Sequence, residues 1–363
     1  MKIKPMTKFA ILALSLVLVA CAGGGSEEAG CPAIDGREIN VVATTPMIGE
    51  FVSQVGGENI NLTVLMPPEA NPHTYEPAPQ DAGTIAEADL VFYTGLLYEP
   101  AALVKLLENS ACSTDILSEV GESVFPIEFE EGGHDDHDDH DDHDDEEGHD
   151  DHDDEEGHDD EEGHDDEEGH DDHDDEEGHD DHEGHNHGAY DPHFWFDPSR
   201  VAYAAEYIES RLIQFDPENE SSYKSSADSF VSELNDLTKQ VSELISTVPS
   251  QNRKLITTHE SLGYLEAKFG LEVLSTIIPS LNSANEISPS DLAGVIDVIE
   301  DNNVKVIFIE SEAPSVYSET IVAETGIKSV TGLYVETLKP GQSYSEFLIS
   351  NVKLITENLQ DTD

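Results

Sequence analysis

From His134 to Gly188 the chain repeats His-Asp-Asp and His-Asp-Asp-Glu-Glu-Gly and contains no apolar residue. Burial of apolar surface is what offsets the entropy of ordering a chain, so this run cannot build a core. It is expected to be disordered without metal and to split the foldable sequence in two. Fourteen of the 17 histidines lie in it: His134, His137, His140, His143, His149, His152, His158, His164, His170, His173, His179, His182, His185 and His187. An inert solubilising linker needs the carboxylates but not the imidazoles. Many weak N/O sites on a flexible tether raise the local metal concentration instead. Metal binding by this run should weaken below about pH 6, as imidazoles protonate.

The run holds 33 of the 80 Asp and Glu and no Lys or Arg, so it carries -33 of the net charge of -64. The remainder is still acidic. Phosphate contacts need clustered Lys and Arg, which excludes nucleic acid as a partner and favours a cationic ligand.

The first twenty residues read as a targeting segment. Lys2, Lys4 and Lys8 precede an apolar stretch, Phe9 to Ala20, that is too short to span a bilayer. Small residues then lead into Cys21 and a Gly-Gly-Gly-Ser stretch. This resembles a bacterial lipoprotein signal, with Cys21 lipidated and residues 21–38 a tether. Cys31 and Cys112 remain. In an oxidising compartment they form either one disulfide, pinning the N-terminus to the first lobe, or two free thiols.

Elsewhere, short apolar runs alternate with helical patterns. Strands are expected at Ile39–Thr45, Ile60–Met66, Asp89–Thr94, Lys254–Thr258, Leu271–Ile278 and Val304–Ile309. Helices are expected at Pro46–Val55, Ala82–Ala88, Ala101–Glu108, Asp197–Phe215, Pro217–Ser246, Leu262–Phe269, Pro289–Glu300, Ser315–Thr325 and Ser345–Leu359. Such alternation implies parallel sheets and an α/β fold. In the long helix Ala227, Phe230, Val231, Leu234, Leu237, Val241 and Leu244 recur every three or four residues. A helix of that length outruns one small domain and can bridge two. The organisation read from this is an N-terminal α/β lobe at 39–216 with an insertion at 130–188, a linking helix at 217–247, and a C-terminal α/β lobe at 248–363.

Only His73, His193 and His259 lie in foldable sequence. Each sits in a loop or at a strand end, in Pro-His-Thr-Tyr-Glu-Pro, Asp-Pro-His-Phe-Trp-Phe-Asp-Pro and His-Glu-Ser-Leu-Gly-Tyr. A lone histidine is usually a satisfied core or surface residue. Three of them, two behind a φ-fixing proline and all beside aromatics, point to a shared site where strands of parallel sheets end.

These three motifs, in this order, resemble the zinc/manganese solute-binding lipoproteins of ABC importers, the ZnuA/TroA-like family, over about Ile39 to Leu359. The resemblance implies two α/β lobes joined by a rigid helix, with metal in the cleft between them. It also implies an acidic His-rich loop in zinc-type members where the run falls here. His73, His193 and His259 match the first three metal positions. Glu336, which precedes Gly341-Gln342-Ser343-Tyr344, is the fourth, with Glu310 as runner-up. Glu76 and Glu260 are expected to orient imidazoles from behind, or to be plain loop carboxylates. Three imidazoles favour Zn²⁺, as oxygen ligands favour Mn²⁺. Manganese-type relatives typically carry Glu where His259 stands. The expected protein is a lipid-anchored, extracytoplasmic monomer that delivers Zn²⁺ to an ABC permease and its ATPase. A manganese-type carrier and a stand-alone surface metal buffer or adhesin are the alternatives. A zinc hydrolase is disfavoured, because no His-Glu-x-x-His is present.

Overall fold

The computed structural model describes residues 31, 34, 36–68, 70–129, 190–282, 287–311 and 316–360. The targeting segment, Cys21 and the fourteen histidines from His134 to His187 lie outside the described residues. Among the described residues, no helix is long and apolar enough to cross a membrane.

The first lobe is a four-stranded, all-parallel sheet in the order β2-β1-β3-β4, built from Ile39–Ala43 (β1), Ile60–Val64 (β2), Leu90–Tyr93 (β3) and Leu117–Glu119 (β4). The central strand β1 reads Ile-Asn-Val-Val-Ala and is apolar at four of five positions, as a strand covered on both faces requires. Thr45 stops it and caps helix α1 (Pro46–Gly56) by accepting from the Ile48 amide at 3.2 Å. Pro46 occupies the first helical turn, where a missing N–H costs nothing. Helices α2 (Pro79–Ala86), α3 (Ala101–Ser110) and α4 (Pro198–Phe215) complete the lobe.

The second lobe repeats the plan in the order β6-β5-β7-β8, from Lys254–His259 (β5), Glu272–Ile278 (β6), Val306–Glu310 (β7) and Lys328–Leu333 (β8). Its helices are α6 (Gly263–Phe269), α7 (Pro289–Asp301), α8 (Val316–Thr325) and α9 (Tyr344–Gln360). Between the lobes runs α5 (Glu220–Ser246), 27 residues or roughly 40 Å long. Its buried stripe, Tyr223, Ala227, Phe230, Leu234, Leu237, Val241 and Ile245, packs on α1 and α4 of one lobe and on α6 and α9 of the other. One continuous apolar cluster therefore passes through both lobes.

Two edge strands, β4 and β8, have no counterpart in the sequence reading. β4 has three residues, and β8 buries only two of six. Helix α2 starts three residues earlier than expected, because Asp81 accepts from the Ala78 amide at 2.7 Å and closes the first turn. Strand β7 starts two residues later, since Asn303 is left-handed and the Val304 amide still bonds back to Ile299.

Cys31 and Cys112 are joined by a disulfide that ties the segment ahead of β1 to the loop after α3. The Glu128–Tyr190 antiparallel bridge and the Asp191 amide on the Ile127 carbonyl, 3.0 Å, bring the two arms of the insertion to adjacent backbone positions.

Candidate metal centre

In both sheets the strand order reverses at the middle pair, and ligands of open parallel sheets gather beyond the strand C-termini at that point. In the second lobe His259 ends β5 and Glu310 ends its neighbour β7. From the first lobe come His73, in the short turn Pro72–Thr74 after β2, and His193, just before the turn that leads into α4. Glu336 follows β8. The structure brings one donor atom from each of His73, His193, His259 and Glu336 within 4.8 Å of one another. All four side chains are 0–3 % exposed.

Glu336 stands at the centre. Its Oε1 is 3.0 Å from His73 Nε2 and 2.9 Å from His259 Nε2, and its Oε2 is 3.5 Å from His193 Nε2. A tetrahedron with metal–ligand bonds of 2.0–2.2 Å has edges of roughly 3.3–3.6 Å, so a few tenths of an ångström of adjustment would seat an ion. The Nε2 atoms of His193 and His259 are buried, and apart from the Glu336 oxygens at 3.5 and 2.9 Å, neither well aligned for a hydrogen bond, they have no polar partner. Buried polar atoms seldom go unpaired. Two such lone pairs converging beside a carboxylate are what a cation would satisfy.

The opposite ring nitrogens are held. Asp191 Oδ1 accepts from His193 Nδ1 and from the His193 amide, both at 2.8 Å. Glu310 bonds His259 Nδ1 through Oε2, and its Oε1 takes the His259 amide at 3.2 Å. Each contact fixes the tautomer that presents Nε2 to the cleft and makes that nitrogen a better donor. Charge follows the geometry. Burial pulls the His193 pKa down, but Asp191 and Glu336 outweigh it and carry it up to about 9. Burial likewise lowers His259, and Glu310 and Glu336 raise it well above the ordinary imidazole value. Burial pushes Glu336 up, but His73 and His259 lead the groups that hold it well below the usual carboxylate range. Protons and a cation therefore compete for the same Nε2 atoms, and metal uptake at this cleft should depend on pH.

Three alternatives left open by the sequence are resolved among the described residues. Glu310 lies behind His259 and not in the ligand set. Glu260 accepts from the Thr276 hydroxyl at 3.0 Å, and Glu76 is exposed. The orienting carboxylates are Asp191 and Glu310. Asp191 was legible in principle: an Asp two residues before a backbone N–H it can accept is an Asx turn. Asp191→Asn should weaken metal affinity by about 10–100-fold, because the amide holds the ring less well and no longer enriches Nε2. Isothermal titration of the variant checks this, and an unchanged constant would show that Asp191 serves only the backbone turn.

Aromatics lock the lobes around the site. The Trp195 indole donates to the Val335 carbonyl at 2.8 Å, beside Glu336, and the Tyr344 hydroxyl donates to the Trp195 carbonyl at 2.7 Å. The Tyr264 hydroxyl donates to the Asp191 carbonyl at 2.8 Å. Gly263 gives the Asp191 side chain room, since a Cβ there would sit 2.8 Å from Asp191 Oδ2 and push the carboxylate aside.

Residues 41–358 match the family model described as ZnuA, zinc-uptake complex component A, periplasmic. The chain belongs to the ZnuA family. It is 21% identical over 345 residues to the manganese-binding lipoprotein MntA of Halalkalibacterium halodurans, with 95% of this chain and 94% of that protein covered. It is 24% identical over 366 residues to the manganese ABC transporter substrate-binding lipoprotein PsaA of Streptococcus anginosus, covering 98% and 99%. Among solved structures it is similar to the periplasmic zinc-binding protein TroA of Treponema pallidum, with TM-score 0.68, 20% identity, and 89% of this chain and 99% of that one covered. It is also similar to the Fe(III)-bound YtgA of Chlamydia trachomatis, with TM-score 0.67, 23% identity, and 88% and 98% covered. At that identity the likeness shows the fold, two α/β lobes. Family membership makes the chain a metal-binding substrate-binding protein of ABC importers and not an enzyme.

Proposed function

We propose that this ZnuA-family chain binds Zn²⁺ through His73, His193, His259 and Glu336 and delivers it to an ABC permease driven by its ATPase. The observation that carries this is the donor set: three buried imidazoles and one carboxylate, with two Nε2 atoms otherwise unpartnered. Nitrogen-rich four-donor sites suit Zn²⁺, and sites richer in carboxylate and water oxygen suit Mn²⁺. In this reading the chain is a monomer held at the outer face of the membrane by lipid on Cys21. The acidic His-rich run gathers zinc near the cleft and holds it weakly at many sites, as a collector or a sensor of excess. The manganese names of MntA and PsaA support a second reading, a manganese carrier on the same four residues.

A competitive titration of the full chain against a form lacking residues 133–188 tests the proposal, run with Zn²⁺ and with Mn²⁺. The adjacent arms at Glu128 and Tyr190 make the shortened chain easy to close. The expected result is one tight zinc site in both forms, extra weak sites only in the full chain, and weaker manganese binding in both. Loss of the tight site with the run would move the function to the run itself. Tighter binding of Mn²⁺ than of Zn²⁺ would establish the second reading.

A further inference from the structure

Glu336 has a fourth neighbour that is not a histidine. The Tyr98 hydroxyl donates to Glu336 Oε2 at 2.9 Å and lies 3.1 Å from the Glu336 backbone carbonyl. Tyr98 belongs to the first lobe and Glu336 to the second. The tyrosine is 1 % exposed, and its ring stands edge-on to His73, His193 and Trp195, with centroids at 5.1, 5.9 and 5.3 Å.

The backbone that delivers Tyr98 is strained. Gly95, Leu96 and Leu97 are successively left-handed, with φ of 76°, 53° and 59°. Each leucine there costs roughly 1–2 kcal/mol, and Leu97 gains little in return, being 63 % exposed. Two carboxylates, buried Glu99 and half-buried Glu119, hold the turn. Glu99 accepts from the Thr94 amide at 2.6 Å, the Gly95 amide at 2.9 Å and the Thr44 hydroxyl at 2.7 Å. Glu119 accepts from the Leu96 amide at 2.9 Å. Strain that its surroundings over-determine in this way clusters where a side chain must be presented in one position.

We propose that Tyr98 sets the coordination number of the bound ion by engaging one oxygen of Glu336, and so biases the cleft toward Zn²⁺ over Mn²⁺. The inference rests on the reading of this cleft as the metal site. The two Glu336 oxygens are not equivalent. Oε1 faces His73 and His259, while Oε2 sits between the Tyr98 hydroxyl and His193 Nε2. The phenol proton draws density from Oε2 and fixes the carboxylate plane, leaving Oε1 as the better donor. The ion then meets three nitrogens and one oxygen, the four-coordinate set that Zn²⁺ adopts. Freed of the phenol, Glu336 can turn and offer both oxygens. A fifth, oxygen ligand costs Zn²⁺ its tetrahedron but improves the site for Mn²⁺.

Tyr98→Phe keeps the ring and removes only the hydroxyl. Two readouts test it: visible absorption of the Co²⁺-loaded protein, and the ratio of Zn²⁺ to Mn²⁺ dissociation constants. In the wild type we expect the intense bands of four-coordinate cobalt. In Tyr98→Phe we expect the weaker bands of higher coordination, with zinc preference reduced about tenfold, the size of a 1.4 kcal/mol difference. An unchanged spectrum and ratio would overturn the proposal. Equal weakening of both metals would also overturn it, by showing that Tyr98 merely positions the cleft. If wild-type protein gave no cobalt bands at all, the metal site itself would be wrong, a failure separate from that of Tyr98.

Discussion

On the proposed function, His193→Ala should weaken zinc binding by two to three orders of magnitude. Structural zinc sites bind with roughly 10–16 kcal/mol, so one of four ligands accounts for about 2.5–4 kcal/mol, or roughly 10²–10³ in Kd. That exceeds the loss expected from Asp191→Asn, since the variant removes the donor itself and not only its support. His193 is the ligand to test because its whole environment is committed to it. It is fully buried, with Asp191 on Nδ1, Glu336 beside Nε2, and Trp195 edge-on at 5.5 Å. The substitution also leaves a cavity and a less well paired Asp191, so the metal-free variant should lose about 1–3 kcal/mol of stability. Affinity and stability must therefore be read apart, and the zinc-dependent rise in stability separates them. Zinc at a thousand times the wild-type Kd adds about 4.1 kcal/mol to the wild type. In the variant the same zinc is only about 1–10 times Kd and adds about 0.4–1.4 kcal/mol. Full retention of the rise would show that the ion does not sit among these four residues.

Local signals carried much of this protein and long-range ones carried the rest. β1 and α1 are legible because a strand apolar at four of five positions runs into a Thr-Pro start signal. The stripe on α5 is legible because apolar spacing of three and four persists for the whole helix. The histidines stood out because so few lie in foldable sequence. β4 and β8 were not legible: an edge strand needs little apolar sequence, and its identity comes from the neighbour it pairs with. The place of Glu310, runner-up for the fourth ligand but in fact behind His259, was not legible for a similar reason. Its contact with His259 spans 51 residues and exists only because β5 and β7 are adjacent. Tyr98 lies 238 residues from Glu336, and nothing in Gly-Leu-Leu-Tyr-Glu-Pro announces the partner. Its one local oddity, two left-handed leucines, is a backbone property that leucine does not advertise.

Replacing Cys31 and Cys112 together by Ser should cost about 4–5 kcal/mol of stability while leaving zinc affinity almost unchanged. The disulfide closes a loop of sequence separation 81, and chain-entropy arguments assign a cross-link of that span roughly 4.5 kcal/mol, acting on the unfolded state. The loop encloses β1, α1, β2, α2, β3 and α3, most of the first lobe. It also encloses His73 and Tyr98, yet both are placed by contacts of their own. His73 is held by Asn71, which accepts its amide at 2.9 Å, and Tyr98 by the carboxylates under its turn. Cys112 packs instead with the separate cluster around Val42, Leu103 and Ile116. The enclosed segment has 11 acidic and 2 basic residues, so its unfolded form repels itself and swells at low salt. Closing a swollen loop costs more entropy than closing a compact one, and the loss on removing the bond should grow as ionic strength falls. Urea unfolding of both forms at two salt concentrations measures this. A loss below about 1 kcal/mol, independent of salt, would mean that the unfolded chain is already compact across that span and the cross-link removes little freedom from it.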